Sequence, residues 1–189
     1  MWADIFTFFT KEAISVGLLR LLFGPSGKEK ELLCLQRLVM KDSPNKLIMS
    51  EKQLKSTARR QASNYLRIAK DCTAIVSDTI RPDVFFPRLE LLKETSKHLA
   101  DLEPYISFSG ASPSAAYREV LRKENECIAL FIERYLHSAC AKARTMKTEK
   151  GKMNQYIKAY DGLKSYFHLL PLNAMNEVQQ FKHNYIAMQ

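Results

Sequence analysis

Between Ser50 and Ile80 small and apolar residues recur at Ala58, Ala62, Tyr65, Ala69, Cys72, Val76 and Thr79, in alternating steps of four and three. That rhythm holds one seam of an α-helix against its neighbours and leaves the intervening positions to charge and polarity. Neither Gly nor Pro interrupts the run. The pattern predicts one long helix over 50–80, opened by Ser50 and Gln53 at the spacing of a capping box.

The same period divides most of the chain into helices. The first is predicted from Asp4 to Phe23, stopping at Gly24-Pro25-Ser26-Gly27, and the second over 28–41, ended by Asp42-Ser43-Pro44-Asn45. After Arg81-Pro82 a helix is expected to start between Asp83, a candidate N-cap, and Pro87, which suits a first helical position, and to turn Leu89, Leu92, Leu99 and Leu102 inward. Ser112-Pro113 opens another long helix, to about Thr145, with Tyr117, Leu121, Ile128, Phe131, Tyr135 and Ala139 as its seam. Met153, Tyr156, Tyr160, Leu163 and Phe167 mark the next, which Pro171 breaks. Leu172, Met175, Val178, Phe181 and Tyr185 mark the last. Strand signals are nearly absent. Long helices joined by short loops predict an all-α fold: an antiparallel up-down four-helix bundle over 50–168. The helices of 4–41 and of 172–187 are expected to pack on it within a single domain, 1–189.

Composition agrees with a packed core, since 46% hydrophobic and 26% charged residues are ordinary for a globular chain. Cys34, Cys72, Cys127 and Cys140 form no Cys-x-x-Cys pair, which favours buried thiols in a reducing cytosol over a disulfide framework. The N-terminus carries no basic leader followed by a small-residue cleavage site, so a cytoplasmic location is expected.

Candidate chemistry changes this picture little. Gly24-Pro25-Ser26-Gly27-Lys28 suggests a phosphate loop, but Leu22 and Glu29 stand where that motif needs Gly and a hydroxyl. Glu94/His98 and Glu133/His137 each share a helix face, yet their levels in the proposed bundle differ by roughly 20 Å at 1.5 Å per residue. His168 and His183 have no ligand-type residue at ligand spacing, and no nucleophile has a paired base. No catalytic residue, metal ligand or cofactor is predicted, and no small-molecule substrate is inferred.

Charge is the stronger signal, with a formal excess of +9. Residues 50–80 hold six basic and three acidic residues, and 113–147 hold seven and four, so the excess concentrates on the two longest helices. Lys52, Lys55, Arg59, Arg60, Arg67 and Lys70 fall within an arc of about 140° opposite the apolar seam. Arg81, Arg88, Lys142, Arg144, Lys147, Lys150 and Lys152 are expected to gather at one end of the bundle. Such surfaces suit a phosphate backbone or simply a solvated helix face. In the first helix Ile5, Phe9, Ala13, Val16 and Phe23 share a face. Trp2, Ile5, Phe6 and Phe9 are its candidate contacts with a partner or a membrane interface.

Two segments carry a resemblance. Thr79-Ile80-Arg81-Pro82-Asp83-Val84-Phe85-Phe86-Pro87-Arg88 with Leu91-Leu92, and Lys147-Thr148-Glu149-Lys150-Gly151-Lys152-Met153-Asn154 with Tyr160-Asp161, together resemble an uncharacterised helical family of Gram-positive bacteria and their mobile elements. The resemblance implies a helical fold and a bacterial host, and brings no activity with it. The expected function is that of a non-catalytic cytoplasmic interaction protein binding a protein partner or a second copy of itself. The alternatives are a module for an anionic surface, nucleic acid or a membrane, and a helical enzyme.

Overall fold

A computed structural model describes residues 27–40, 50–108 and 112–187. Among them the chain is all-α, with six α-helices and no strand: α1 Gly27–Val39, α2 Glu51–Asp78, α3 Pro82–Leu102, α4 Pro113–Arg144, α5 Glu149–Lys164 and α6 Leu172–Tyr185. Single 3₁₀ turns follow α3 at Glu103–Tyr105 and α5 at Phe167–Leu169. The first predicted helix, with Trp2, Ile5, Phe6 and Phe9, lies outside the described residues, as does the greater part of the Gly24–Lys28 turn. No described helix is long and apolar enough to cross a membrane.

The chain divides into two compact units. One comprises residues up to Gln61 together with Pro104–Ser107; the other comprises Ala62–Glu103 and Phe108 onward, so α2 contributes to both. In the first unit Ser50 and Gln53 form the expected capping box. Gln53 Oε1 accepts from Ser50 N at 2.9 Å, and Ser50 Oγ accepts from Gln53 N at 3.4 Å. Gln61 Nε2 donates to the Val39 carbonyl at 3.0 Å, satisfying an acceptor at the end of α1 that the helix leaves open. Leu35, Val39, Leu54, Ala58 and Ile106 are buried.

In the second unit α4 packs against α3, α5 and α6. Phe131 of α4 stacks on Phe85 of α3 at 4.0 Å between centroids, and Phe86 meets Phe131 edge-on at 5.7 Å. Phe86 also stacks on Tyr166 at 4.5 Å. Each such pair adds about 0.5–1.5 kcal/mol to the gain from burying the rings. Farther along, Lys93 of α3 reaches Glu124 of α4 at 2.9 Å, so the register falls on α4 as it climbs on α3. That pair of helices is antiparallel. Tyr135 of α4 donates from its hydroxyl to the Ala159 carbonyl of α5 at 3.1 Å, and Tyr156 and Phe181 link α5 to α6. Ala174, Val178 and Phe181 bring α6 into the same core, to which α2 gives Val76.

Three helix starts show how local chemistry fixes boundaries. The residue before a proline is pushed to extended backbone, and proline suits the first helical position. Arg81 is accordingly the extended N-cap of α3, at φ −105° and ψ 117°, with Pro82 first in the helix. Asp83, expected as the cap, lies inside, and Pro87 falls within the helix at an exposed position where it forgoes one hydrogen bond. Thr148 caps α5 by accepting from Gly151 N at 3.1 Å, which places Lys150 and Lys152 in the helix rather than ahead of it. At α4, Ser112 is the cap, and the Glu103 carboxylate accepts from both the Ser112 hydroxyl and Ser114 N.

The predicted inward leucines of α3 are all buried, and every member of the α2 seam is buried or half-buried. Leu121 and Leu172 depart from expectation: both sit on predicted apolar faces yet are exposed, Leu172 at 78%.

Gly162 is explained by a close approach, because a Cβ there would lie 2.7 Å from the Tyr135 hydroxyl oxygen. Alanine in a helix interior gains about 1 kcal/mol over glycine, and a lost hydrogen bond costs a similar amount. Gly162→Ala should therefore stabilise the protein in a Tyr135→Phe background and fail to do so in the native one. The coupling of about 1 kcal/mol is measurable by a double-mutant cycle of denaturant midpoints.

Glu177 on α6 has its carboxyl pushed above the ordinary value by burial and by the Glu133 carboxylate on α4. A raised carboxyl pKa means the folded state holds its proton more tightly, so this contribution is complete below the unfolded value and is lost as pH rises through the folded one. Glu177→Gln should raise Tm at neutral pH and leave it little changed at pH near 4, as followed by circular dichroism.

Candidate anion-binding cleft

The six basic residues predicted as a stripe on α2 are all exposed. Lys52, Lys55, Arg59 and Arg60 belong to the first unit, and Arg67 and Lys70 to the second. Lys55 pairs with Glu51 at 2.7 Å and Arg67 with Asp71 at 4.0 Å, each carboxylate one turn away. In the first unit the hollow lined by Lys28, Glu31, Glu51, Lys55 and Tyr105 holds charges of both signs. It has no preference for an anion.

The second unit differs. Where α4 and α5 diverge beside the start of α3, a cleft of about 250 Å³ opens. Its cationic walls are Arg81 from the α2–α3 turn, Lys142 from α4 and Lys158 from α5. Ser138, Gln155 and Tyr135 add neutral polar groups, and Ile80, Pro82, Ala139 and Ala159 make its apolar floor. No carboxylate is among the lining residues.

Each wall has a local cause. Phe85 and Phe86 are buried at 0% and 2%, which seats the first turn of α3 against α4 and leaves Arg81 at the rim. On α4, Tyr135, Ser138, Ala139 and Lys142 follow at steps of three, one and three, hence along one face. On α5, Gln155, Lys158 and Ala159 repeat that arrangement. The Tyr135–Ala159 hydrogen bond closes the inner end. Burial, and secondarily the Asp83 carboxylate, push the Tyr135 hydroxyl above its ordinary pKa, so it remains a proton donor.

Arg81 is already engaged: its Nη2 and Nε contact the Asp83 carboxylate at 2.5 and 3.3 Å. The contact lowers the Asp83 pKa and raises that of Arg81. Lys142 and Lys158 have no ion pair among the described residues.

No family model, curated protein or solved structure matches this chain. Its site therefore has to be read from its own residues.

Of the predicted end cluster, Arg81 and Lys142 line the cleft, whereas Arg88, Arg144, Lys147, Lys150 and Lys152 do not. Arg144, Lys147 and Lys150 are exposed, and Lys152 pairs with Glu149 at 2.5 Å. Lys158 is the residue that sequence reasoning missed. Its signal was available in its spacing of three from Gln155, beside the Tyr156–Tyr160 seam. Elsewhere on α4, Arg122 and Lys123 both grip Glu119 and lower its carboxyl to about 2.

Neither Glu-His pair assembles into anything larger. His98 stacks on Tyr65 at 5.2 Å, and Glu94, Glu133 and His137 are exposed. Among the described residues no group of three His, Cys, Asp or Glu is placed to hold a metal ion. All four cysteines are free thiols, but only Cys72 is buried as expected; Cys127 and Cys140 are half-buried and Cys34 is exposed.

Proposed function

We propose that this chain is a non-catalytic, cytoplasmic binding module for a polyanion, with nucleic acid as the partner. One observation carries the reading: three separate elements bring Arg81, Lys142 and Lys158 around a single cleft that no carboxylate lines. A helix that merely solvates its outer face has no need of such convergence. In support, no Lys or Arg among the described residues is buried, so the positive excess lies on the surface. Residues 62–78 with α3, α4 and α5 are proposed to form the antiparallel four-helix arrangement. Membership in the helical family of Gram-positive bacteria rests on the Pro82–Arg88 and Lys147–Lys152 elements.

Binding of labelled duplex DNA and RNA across a salt series tests this. Each neutralised phosphate adds about −0.9 to the slope of log affinity against log salt on a duplex, so three contacts predict a slope near −3 or steeper. Absence of any complex at low salt overturns the proposal.

A protein partner or second copy is the second reading, favoured by the exposure of Leu130 at 57% and Leu172 at 78%. Sedimentation should then show concentration-dependent association that Leu130→Ser or Leu172→Ser weakens; a monomer at all concentrations removes the self-association form.

A further inference from the structure

We infer that the cleft between α4, α5 and the start of α3 anchors one backbone phosphate of a nucleic-acid strand, with Arg81, Lys142 and Lys158 as its cationic contacts. The inference rests on the polyanion reading and narrows it from a charged surface to a place.

Size decides what enters. Ligand pockets that enclose a whole small molecule run from about 300 to 1,000 Å³, and this cleft, at about 250 Å³, falls below that range. A phosphate group fits inside while the sugar and base it belongs to remain outside. A phosphodiester offers acceptor oxygens only, and the cleft offers donors. The Lys142 and Lys158 ammonium groups, the Gln155 amide and the Ser138 hydroxyl come from two antiparallel helices and face a common space. Asp83 occupies Nη2 and Nε of Arg81, which fixes the guanidinium and leaves Nη1 for a ligand.

The surroundings favour a strand over a lipid headgroup. Beyond Lys142 the chain continues with the exposed Arg144, Lys147 and Lys150, and residues 143–152 contain no aromatic ring. Interfacial membrane binders anchor themselves with Trp or Phe beside their cations. A nucleic-acid strand leaving the cleft meets further positive charge instead.

Fluorescence anisotropy on the full chain, with a short labelled DNA duplex and its single strand as probes, tests the placement. Lys142→Gln and Lys158→Gln should each weaken binding by up to about tenfold and flatten the salt slope by about one. Lys70→Gln removes the same charge from an exposed site on α2 and should do much less. Lys142 and Lys158 are exposed, so unchanged circular-dichroism melts are expected.

Titrating inorganic phosphate into isotope-labelled protein gives a readout without mutation. Amide shifts should concentrate at Ser138, Lys142, Gln155 and Lys158, and their absence would overturn the site. If the cleft variants bind like Lys70→Gln, the cleft is rejected while polyanion binding stands. If neither probe binds at low salt, the polyanion reading itself is lost. If the same lysines prove necessary for phosphatidylglycerol vesicles and not for DNA, the strand is the wrong partner and the inference fails.

Discussion

The stack of Phe131 on Phe85 is the contact on which the second unit turns. It joins the middle of α4 to the first turn of α3, with both rings wholly buried. One helical turn beyond Phe131, the Tyr135 hydroxyl binds the α5 backbone. Two turns farther along the same face stands Lys142. A single stripe of α4 therefore passes from apolar packing through a satisfied polar tether to an exposed cation. The cleft is the place where that stripe stops being core. Burying a Phe side chain contributes about 1.5–3 kcal/mol, so the rings set the register and the charges follow it.

Much of this organisation was legible in the sequence because it is local. Apolar spacing of three and four identifies which face of a helix is buried, and Ser50 with Gln53 states where a helix begins. Both depend on residues within a turn of each other. The start of α3 was placed late, between Asp83 and Pro87, because each is a good start signal in isolation, whereas Pro82 forces Arg81 into extended backbone and takes the first helical position itself. Leu121 and Leu172 illustrate the other limit. Their periodicity is correct, but exposure depends on whether a neighbouring helix reaches that far along, and this is a property of two segments at once. The cleft was half legible for the same reason. Arg81 and Lys142 stand near helix ends that a bundle topology brings together. Lys158 lies in the middle of α5, and only the packing of α5 on α4, tied by the Tyr135–Ala159 hydrogen bond, makes it line the same cleft as Lys142.

Total charge is a weak guide to where an anion would bind, because most of the ionic contacts here are short-range and exposed. Glu119 with Arg122 and Lys123, Glu149 with Lys152, Asp161 with Lys164 and Glu51 with Lys55 are each confined to one helix. Exposed pairs of this kind contribute little to stability and weaken with salt. Their larger consequence is spatial. They offset those cations within their own helices, whereas Lys142 and Lys158 line one cleft from two helices with no carboxylate among its lining residues. Lys93 is the counterexample: it also faces a neighbouring helix, but Glu90 and Glu124 hold it there and raise its pKa against the opposing effect of burial.

Asp83 then needs its own account, because a carboxylate at the rim of a cationic cleft opposes an incoming anion. Its position at the start of α3 explains its presence, since an acidic side chain in the first turn interacts favourably with the positive end of the helix. Holding Arg81 in two contacts also removes the rotamer freedom that a long side chain would lose on binding a ligand, and that ordering costs about 0.5–1.5 kcal/mol per side chain. Preorganisation and repulsion therefore act on the same guanidinium with opposite signs. The repulsion is screened by salt, whereas the fixed geometry is not. On the proposed reading, the Arg81–Asp83 pair makes the cleft more selective for an anion that can take the remaining edge of the guanidinium, and less attractive to diffuse negative charge.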